Sequence, residues 1–243
     1  MAAPLTTSVT MVTPAHAAGD LFVVAILRDW APGGAAGGLA YTGADPLVPP
    51  AGWILRVPEG GGTDLVFGDL GSGVEAQQLT VWTKVAGAGE PANFTWTWTD
   101  NCGVAAFLKV FSAVNATNAV NVAAAAIATG PGAGPNPIAV DAPSVSPTQD
   151  DTILFCIYGG RNGALAGGTP WTVPAGMANA TPAIQLIQTL AVVNPIGMAA
   201  FVETLAAAGA TGVRTSTMSQ SLAPPNLFDA IGYSLCIGGV CPS

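Results

Sequence analysis

Seven residues, Asn93-Phe94-Thr95-Trp96-Thr97-Trp98-Thr99, constrain this chain more than any other stretch. Phe94, Trp96 and Trp98 project to one side of an extended backbone; Asn93, Thr95, Thr97 and Thr99 project to the other. A period of two is the mark of a half-buried β-strand. Aromatic and β-branched side chains suit its pleated surface. The three large rings need cover, because Trp and Phe dominate burial energetics. They are therefore read as the core side of a sheet, an aromatic core strand, with a sugar-stacking platform as the alternative.

Other segments read the same way. Thr6 to Val12 alternates hydroxyl and apolar residues, an edge-strand pattern. Leu21 to Arg28 is apolar on both faces, as a central strand covered on both sides would be. Pro49-Pro50-Ala51-Gly52-Trp53 is a turn that leads into a strand, Trp53 to Val57. Gln78 to Ala86 and Val104 to Ala113 are further strands, the latter separate from the aromatic one. Ala116 to Pro137 lacks helical periodicity and charge, and is expected as a surface loop with at most one short strand.

The order then recurs. Asp150 to Ile157 echoes Gly19 to Ile26, and Pro174-Ala175-Gly176-Met177 echoes Pro50-Ala51-Gly52-Trp53. Met198 to Leu205 echoes Leu79 to Ala86, Val213 to Ser219 takes the aromatic strand's place, and Phe228 to Ile237 matches Val104 to Ala113. Two tandem small domains would explain this. A single domain over 1–243, with halves of about 8–114 and 142–237, explains it better, because strands apolar on both faces need a second sheet. The expected fold is all-β: a jelly-roll-like, two-sheet β-sandwich built from two similar halves.

Composition narrows the function. Only 8% of residues are charged and the net charge is −8, with six Lys and Arg spread singly. Nucleic-acid binding needs clustered cations, and an acidic surface is not drawn to anionic membranes. No apolar run reaches the roughly 18 residues of a membrane helix. No basic leader precedes an apolar segment, so the chain is read as made in a cytoplasm without a signal peptide. A surface of Ala, Gly, Thr, Ser and Asn suits a subunit packed against others.

No catalytic constellation, metal set or cofactor motif stands out. The one histidine, His16, is read as a loop residue, and no Gly-x-Ser-x-Gly elbow occurs. Glu59, Asp64, Asp69 and Glu75 match no Ca²⁺ loop and read as a solvated acidic segment. No CxxC pair exists; Cys102 and Cys156 read as small core residues. Spacing leaves open whether Cys236 and Cys241 close a terminal loop. Trp30 and Trp171 each border a Gly-rich segment and are expected to face solvent, an interface or a glycan.

The order of motifs resembles a family of phage and prophage virion proteins. The residues that carry the likeness are Gly19 to Val23, Pro49 to Trp53, Trp82 to Ala86, Phe94 to Trp96, and Ala208 to Ser219 with Arg214-Thr215-Ser216-Thr217. Ala142-Pro143-Ser144-Val145 and Pro174 to Met177 extend it into the second half, so it spans about Ser8 to Ile237. The second half departs in two places: Asp150-Asp151 replaces Gly-Asp, and its counterpart of the aromatic strand has no aromatics. The resemblance implies a β-sandwich displayed on a virion: a decoration or cement subunit of the head, or a tail-tip or fibre module that binds host glycans. It implies the major capsid protein or other virion proteins as partners. With shell symmetry, it also implies a homo-oligomer, expected as a trimer, and no enzyme.

Overall fold

The structure is a computed structural model. It describes residues 6–30, 46–56, 65–67, 76–115, 118–130, 137–161, 171–188, 196–218 and 228–239. The described residues form an all-β sandwich. Thirteen strands follow the chain: β1 Thr6–Val12, β2 Leu21–Trp30, β3 Ile54–Leu55, β4 Leu65–Phe67, β5 Ala76–Val85, β6 Asn93–Phe111, β7 Val120–Gly130, β8 Ile138–Ala142, β9 Thr152–Arg161, β10 Ala178–Gln188, β11 Ile196–Leu205, β12 Arg214–Met218 and β13 Phe228–Ile237.

The first sheet has the order β1-β6-β2-β5-β3, with β4 also on β5; the second has the order β10-β11-β9-β13-β7. β12 and β8 form a separate ribbon. The inner faces of the two sheets share one core. Leu21, Val23, Ala25 and Leu27 of β2 meet Phe155 and Ile157 of β9, with Ile231, Tyr233 and Leu235 of β13. Phe155 lies edge-on to Phe107 and Phe111, at 6.1 and 5.1 Å between ring centres. Gly159 leaves room for the Leu27 methyl, 3.3 Å from where a Cβ would sit. Tyr233 reaches across to donate to the Arg56 carbonyl at 2.9 Å.

Each sheet is also covered on its outside. Phe22, Val24 and Ile26, on the other face of β2, lie under Met11 of β1 and Phe94, Trp96 and Trp98 of β6. Leu154, Cys156 and Tyr158, on the other face of β9, lie under Val140 and Ala142 of β8 and Met218 of β12. The stack is therefore ribbon, sheet, sheet, ribbon. This layering explains why β2 is buried at every position and why its sequence shows no polar face.

β6 makes the first outer layer without a chain break. Asn93 to Cys102 pairs with β1, while Gly103 to Phe111 pairs with β2. The register on β1 slips between Thr6 and Ser8, and such irregularities let a strand turn a sheet corner. The aromatic strand and the strand expected from Val104 to Ala113 are thus one 19-residue strand. Asp100-Asn101 reads as a turn signal but lies inside it. The expected loop from Ala116 to Pro137 is also corrected. Its Val120–Gly130 part is an 11-residue edge strand on β13. Alanine has weak strand preference, so cross-strand pairing and the partial burial of Val122, Ala123 and Ala124 decide its state.

The two halves pair alike. β2 lies between β5 and β6; β9 lies between β11 and β13. β1 pairs with the start of β6 as β8 pairs with β12. Val48 bridges to Thr97 on the far side of that ribbon, and Trp171-Thr172 contacts Thr217-Met218 in the same way. Both Pro-Ala-Gly turns carry their glycine at positive φ, 85° at Gly52 and 83° at Gly176, as a type II turn requires. The registers Phe111↔Leu21 and Ile237↔Ile153 match Gly19 with Asp151. Both have positive φ, 94° and 51°, and Asp is one of the few other residues that tolerates it. The sequence echo of Gly19-Asp20 is therefore Asp151-Thr152, one residue on from Asp150-Asp151.

Candidate functional site

The aromatic residues singled out in the sequence are all interior. Trp96 is fully buried, and Phe94 and Trp98 nearly so. Trp53 packs against Trp96 and Phe94 at 4.9 and 5.1 Å between ring centres, and Phe22 joins them. The Trp98 indole donates to the Thr6 carbonyl at 2.9 Å. The aromatic face is the seam between the β1–β6 ribbon and the first sheet, and it presents no ring to a ligand.

Trp30 and Trp171 are not solvent-facing, contrary to expectation. They are 1% and 2% exposed. Trp30 ends β2 beneath Arg28, whose guanidinium lies 4.6 Å from its ring centre and 5.4 Å from that of Trp98. Arg28 is itself fully buried and donates from Nε to Gln78 Oε1 at 2.9 Å. A guanidinium flanked by indoles retains electrostatic partners out of water.

The burial of Trp171 follows from the repeat. The pairing pattern sets Phe94, Trp96 and Trp98 opposite Arg214, Ser216 and Met218 of β12. The aromatic volume absent there is restored from other elements. Tyr158 of β9 stands where β2 has Ile26, and Trp171 stands where the first half has Leu47. Their rings lie 5.8 Å apart, and Phe201 is 5.8 Å from Tyr158. The Tyr158 hydroxyl donates to the Arg214 carbonyl at 2.6 Å, and burial raises its pKa.

The charge pattern is also exchanged between halves. Lys84 of β5 lies 5.1 Å from the Phe94 ring centre and pairs with Glu90 at 2.5 Å. Burial acts to raise the Glu90 pKa, but the Gly87 N–H and the Lys84 ammonium outweigh it and hold the carboxyl below its usual range. The counterpart of Lys84 is Glu203, which takes Arg214 through two bonds of 2.7 and 3.0 Å. Arg56 donates to the Thr83 hydroxyl at 2.6 Å. These cations are engaged within the fold.

The remaining candidates do not converge. His16 Nδ1 lies 2.8 Å from the Pro14 carbonyl oxygen and its ring meets Phe22 edge-on; its charge acts on Glu90, but among the described residues no acid or nucleophile is hydrogen-bonded to it. Asp150 accepts from the Ala208 N–H at 2.7 Å, a turn contact. Glu59, Asp64, Asp69 and Glu75 lie outside the described residues. Cys156 and Cys236 are buried free thiols; Cys241, the other half of the considered loop closure, lies outside the described residues. Among the described residues no group of three or more His, Cys, Asp or Glu is placed to hold a metal.

What the fold does present is the outer face of the first ribbon. Thr10, Thr95, Thr97 and Thr99 are exposed there, and the Thr10 and Thr95 hydroxyls lie 2.9 Å apart. Val12 and Val48 are the exposed apolar residues on its margins. Reading the strand for its aromatic side alone passes over this neutral hydroxyl face, whose signal in the sequence is the alternate threonines.

No family model, curated protein or solved structure matches the chain.

Proposed function

We propose that the chain is a structural virion protein, a decoration or cement subunit that stabilises a phage head by bridging coat subunits. It is made in the host cytoplasm, and its partners are the major capsid protein and further copies of itself, arranged as a trimer. The observation that carries the reading is the uncharged, hydroxyl-rich outer face of the first ribbon, where Thr10, Thr95, Thr97 and Thr99 are exposed. Lys84, Arg56 and Arg214 are engaged within the fold and Arg28 is buried. On that face hydroxyl-bearing residues remain outside, a composition that burial between copies stabilises better than solvent does. The resemblance of the motif order to virion proteins supports the same reading.

No cofactor enters this function and no reacting group is needed. The competing reading, a tail-tip or fibre module that binds glycans, depended on Trp30, Trp171 or the Phe94 face. All three are inside the protein, and no other observation favours it. The test is addition of purified protein to phage heads stripped of it. Binding at many sites over the shell, with a higher temperature for DNA release, is the expected result. No binding to heads, or binding confined to tail tips, would refute the proposal.

A further inference from the structure

The outer edge of β1 carries a second, independent proposal. Thr13 N–H donates to the Ala92 carbonyl at 2.9 Å, in line with the Val12↔Asn93 register. In an antiparallel pair the backbone groups of successive residues alternate in direction. Val9, Met11 and Thr13 therefore turn theirs to β6, and Ser8, Thr10 and Val12 turn theirs outward. The Thr6 hydroxyl takes up both groups of Ser8, at 3.2 and 2.9 Å. Among the described residues nothing takes those of Thr10 and Val12. β1 has no charged residue and no proline, and Val12 is 74% exposed. Such an edge is a ready template for another strand.

The second half provides an internal comparison. By the same pairing, Thr10 and Val12 correspond to Asp141 and Pro143. A charge and a residue without an N–H are two devices that guard sheet edges. The β8 backbone is also occupied: the Pro143 carbonyl accepts from Ser234 at 2.7 Å, and the Asp141 carbonyl lies 2.2 Å from where a Gly232 Cβ would sit. Among the described residues one ribbon edge is covered and guarded, while its counterpart is open and unguarded.

We infer that β1 pairs antiparallel with β1 of a second copy, about a two-fold axis at Met11. Thr10 of each copy then faces Val12 of the other, and the four outward N–H groups and carbonyls of each edge satisfy one another. The exposed Val12 side chain is covered by Thr10 across the axis. The occupant is a second copy because the open groups are self-complementary in this register. An uncharged strand also meets itself without like-charge repulsion, which two copies of Asp141 would create. An isologous contact of this kind stands whether or not the virion reading holds. On a shell it joins neighbouring trimers and does not replace their three-fold closure.

The test uses the intact chain. Sedimentation gives the association constant, and hydrogen exchange on dilute and concentrated wild-type protein reads the Thr10 and Val12 amides. Expected are two-fold association and protection of both amides that is lost on dilution. Thr10→Asp and Val12→Pro, which copy the second half, should each weaken association about tenfold or more, with the melting temperature of the dilute, dissociated protein little changed. Monomer at all concentrations would overturn the inference, as would association that leaves both amides unprotected or survives both variants. Protection that appears only when a different protein is added would assign the edge to that protein instead. The wild-type exchange decides the matter even where a variant fails to fold.

Discussion

Replacing Trp96 by alanine tests the packing account at its centre. The side chain is fully buried and lies 4.9 and 6.2 Å, centre to centre, from Trp53 and Phe94. Truncation removes roughly 150–200 Å² of apolar burial, or about 4–5 kcal/mol at 25 cal/mol per Å². Lost ring contacts add about 1 kcal/mol. Among the described residues the indole N–H has no hydrogen-bond partner, so its removal returns about 1–2 kcal/mol. The net is a loss of about 3–5 kcal/mol, within the range for large aromatic truncations. For a chain of this size that lowers the melting temperature by roughly 6–20 °C. Thermal denaturation followed by circular dichroism reads it, with Trp96→Phe as a control that keeps most of the volume and loses under about 1.5 kcal/mol. The equivalent site in the second half, Ser216, donates to the Thr172 carbonyl at 2.7 Å; Ser216→Ala should cost only about 1 kcal/mol. A Trp96→Ala variant within about 1 kcal/mol of wild type would show that the ribbon is not anchored by its aromatic face.

Gly232→Ala should destabilise by about 3 kcal/mol or more, because its Cβ would lie 2.2 Å from a backbone oxygen of β8 that cannot move aside; urea unfolding measures it. Native Cys156 and Cys236 should resist alkylation until denaturant is added, since both are buried and burial pushes each thiol up to about 12. The sign of the pH effect follows: unfolded thiols ionise near 9.0 and folded ones near 12, so stability is full below the first value and falls as pH rises towards the second. Urea midpoints compared at neutral and alkaline pH check this, and the Cys156→Ala, Cys236→Ala double variant should flatten the decline. Far-ultraviolet circular dichroism should show β-structure dominating, and helix above about one third would contradict the fold.

Much of the architecture was legible because it is written in short-range periodicity. The all-apolar Leu21–Leu27 run announced a strand covered on both faces, and Phe94, Trp96 and Trp98 announced an inner face. The layering itself was not legible. Nothing local says that β6 changes partner at Gly103, because Asp100-Asn101 looks like a turn and only long-range pairing overrides it. β7 was expected as no more than a short strand in a loop, because alanine and glycine carry little strand signal without their neighbours. The placement of Trp30 and Trp171 went wrong because a nearby Gly-rich segment says nothing of what covers a ring. Trp171 is buried for a reason two elements away: β12 has Arg214, Ser216 and Met218 in the places of Phe94, Trp96 and Trp98, and a ring from elsewhere fills the gap. The edge at Thr10 and Val12 could have been suspected from a strand with neither charge nor proline. Its contrast with Asp141 and Pro143 needed the register.

The proposed role of the chain as a shell subunit is tested most directly by locating and counting it on purified particles. Cryo-electron microscopy of virions carrying a labelled copy gives position and number together. The account predicts density at many symmetry-related sites over the head, with copies in contact with coat subunits and with one another. Label found only at the tail tip, or absent from the particle, would contradict it.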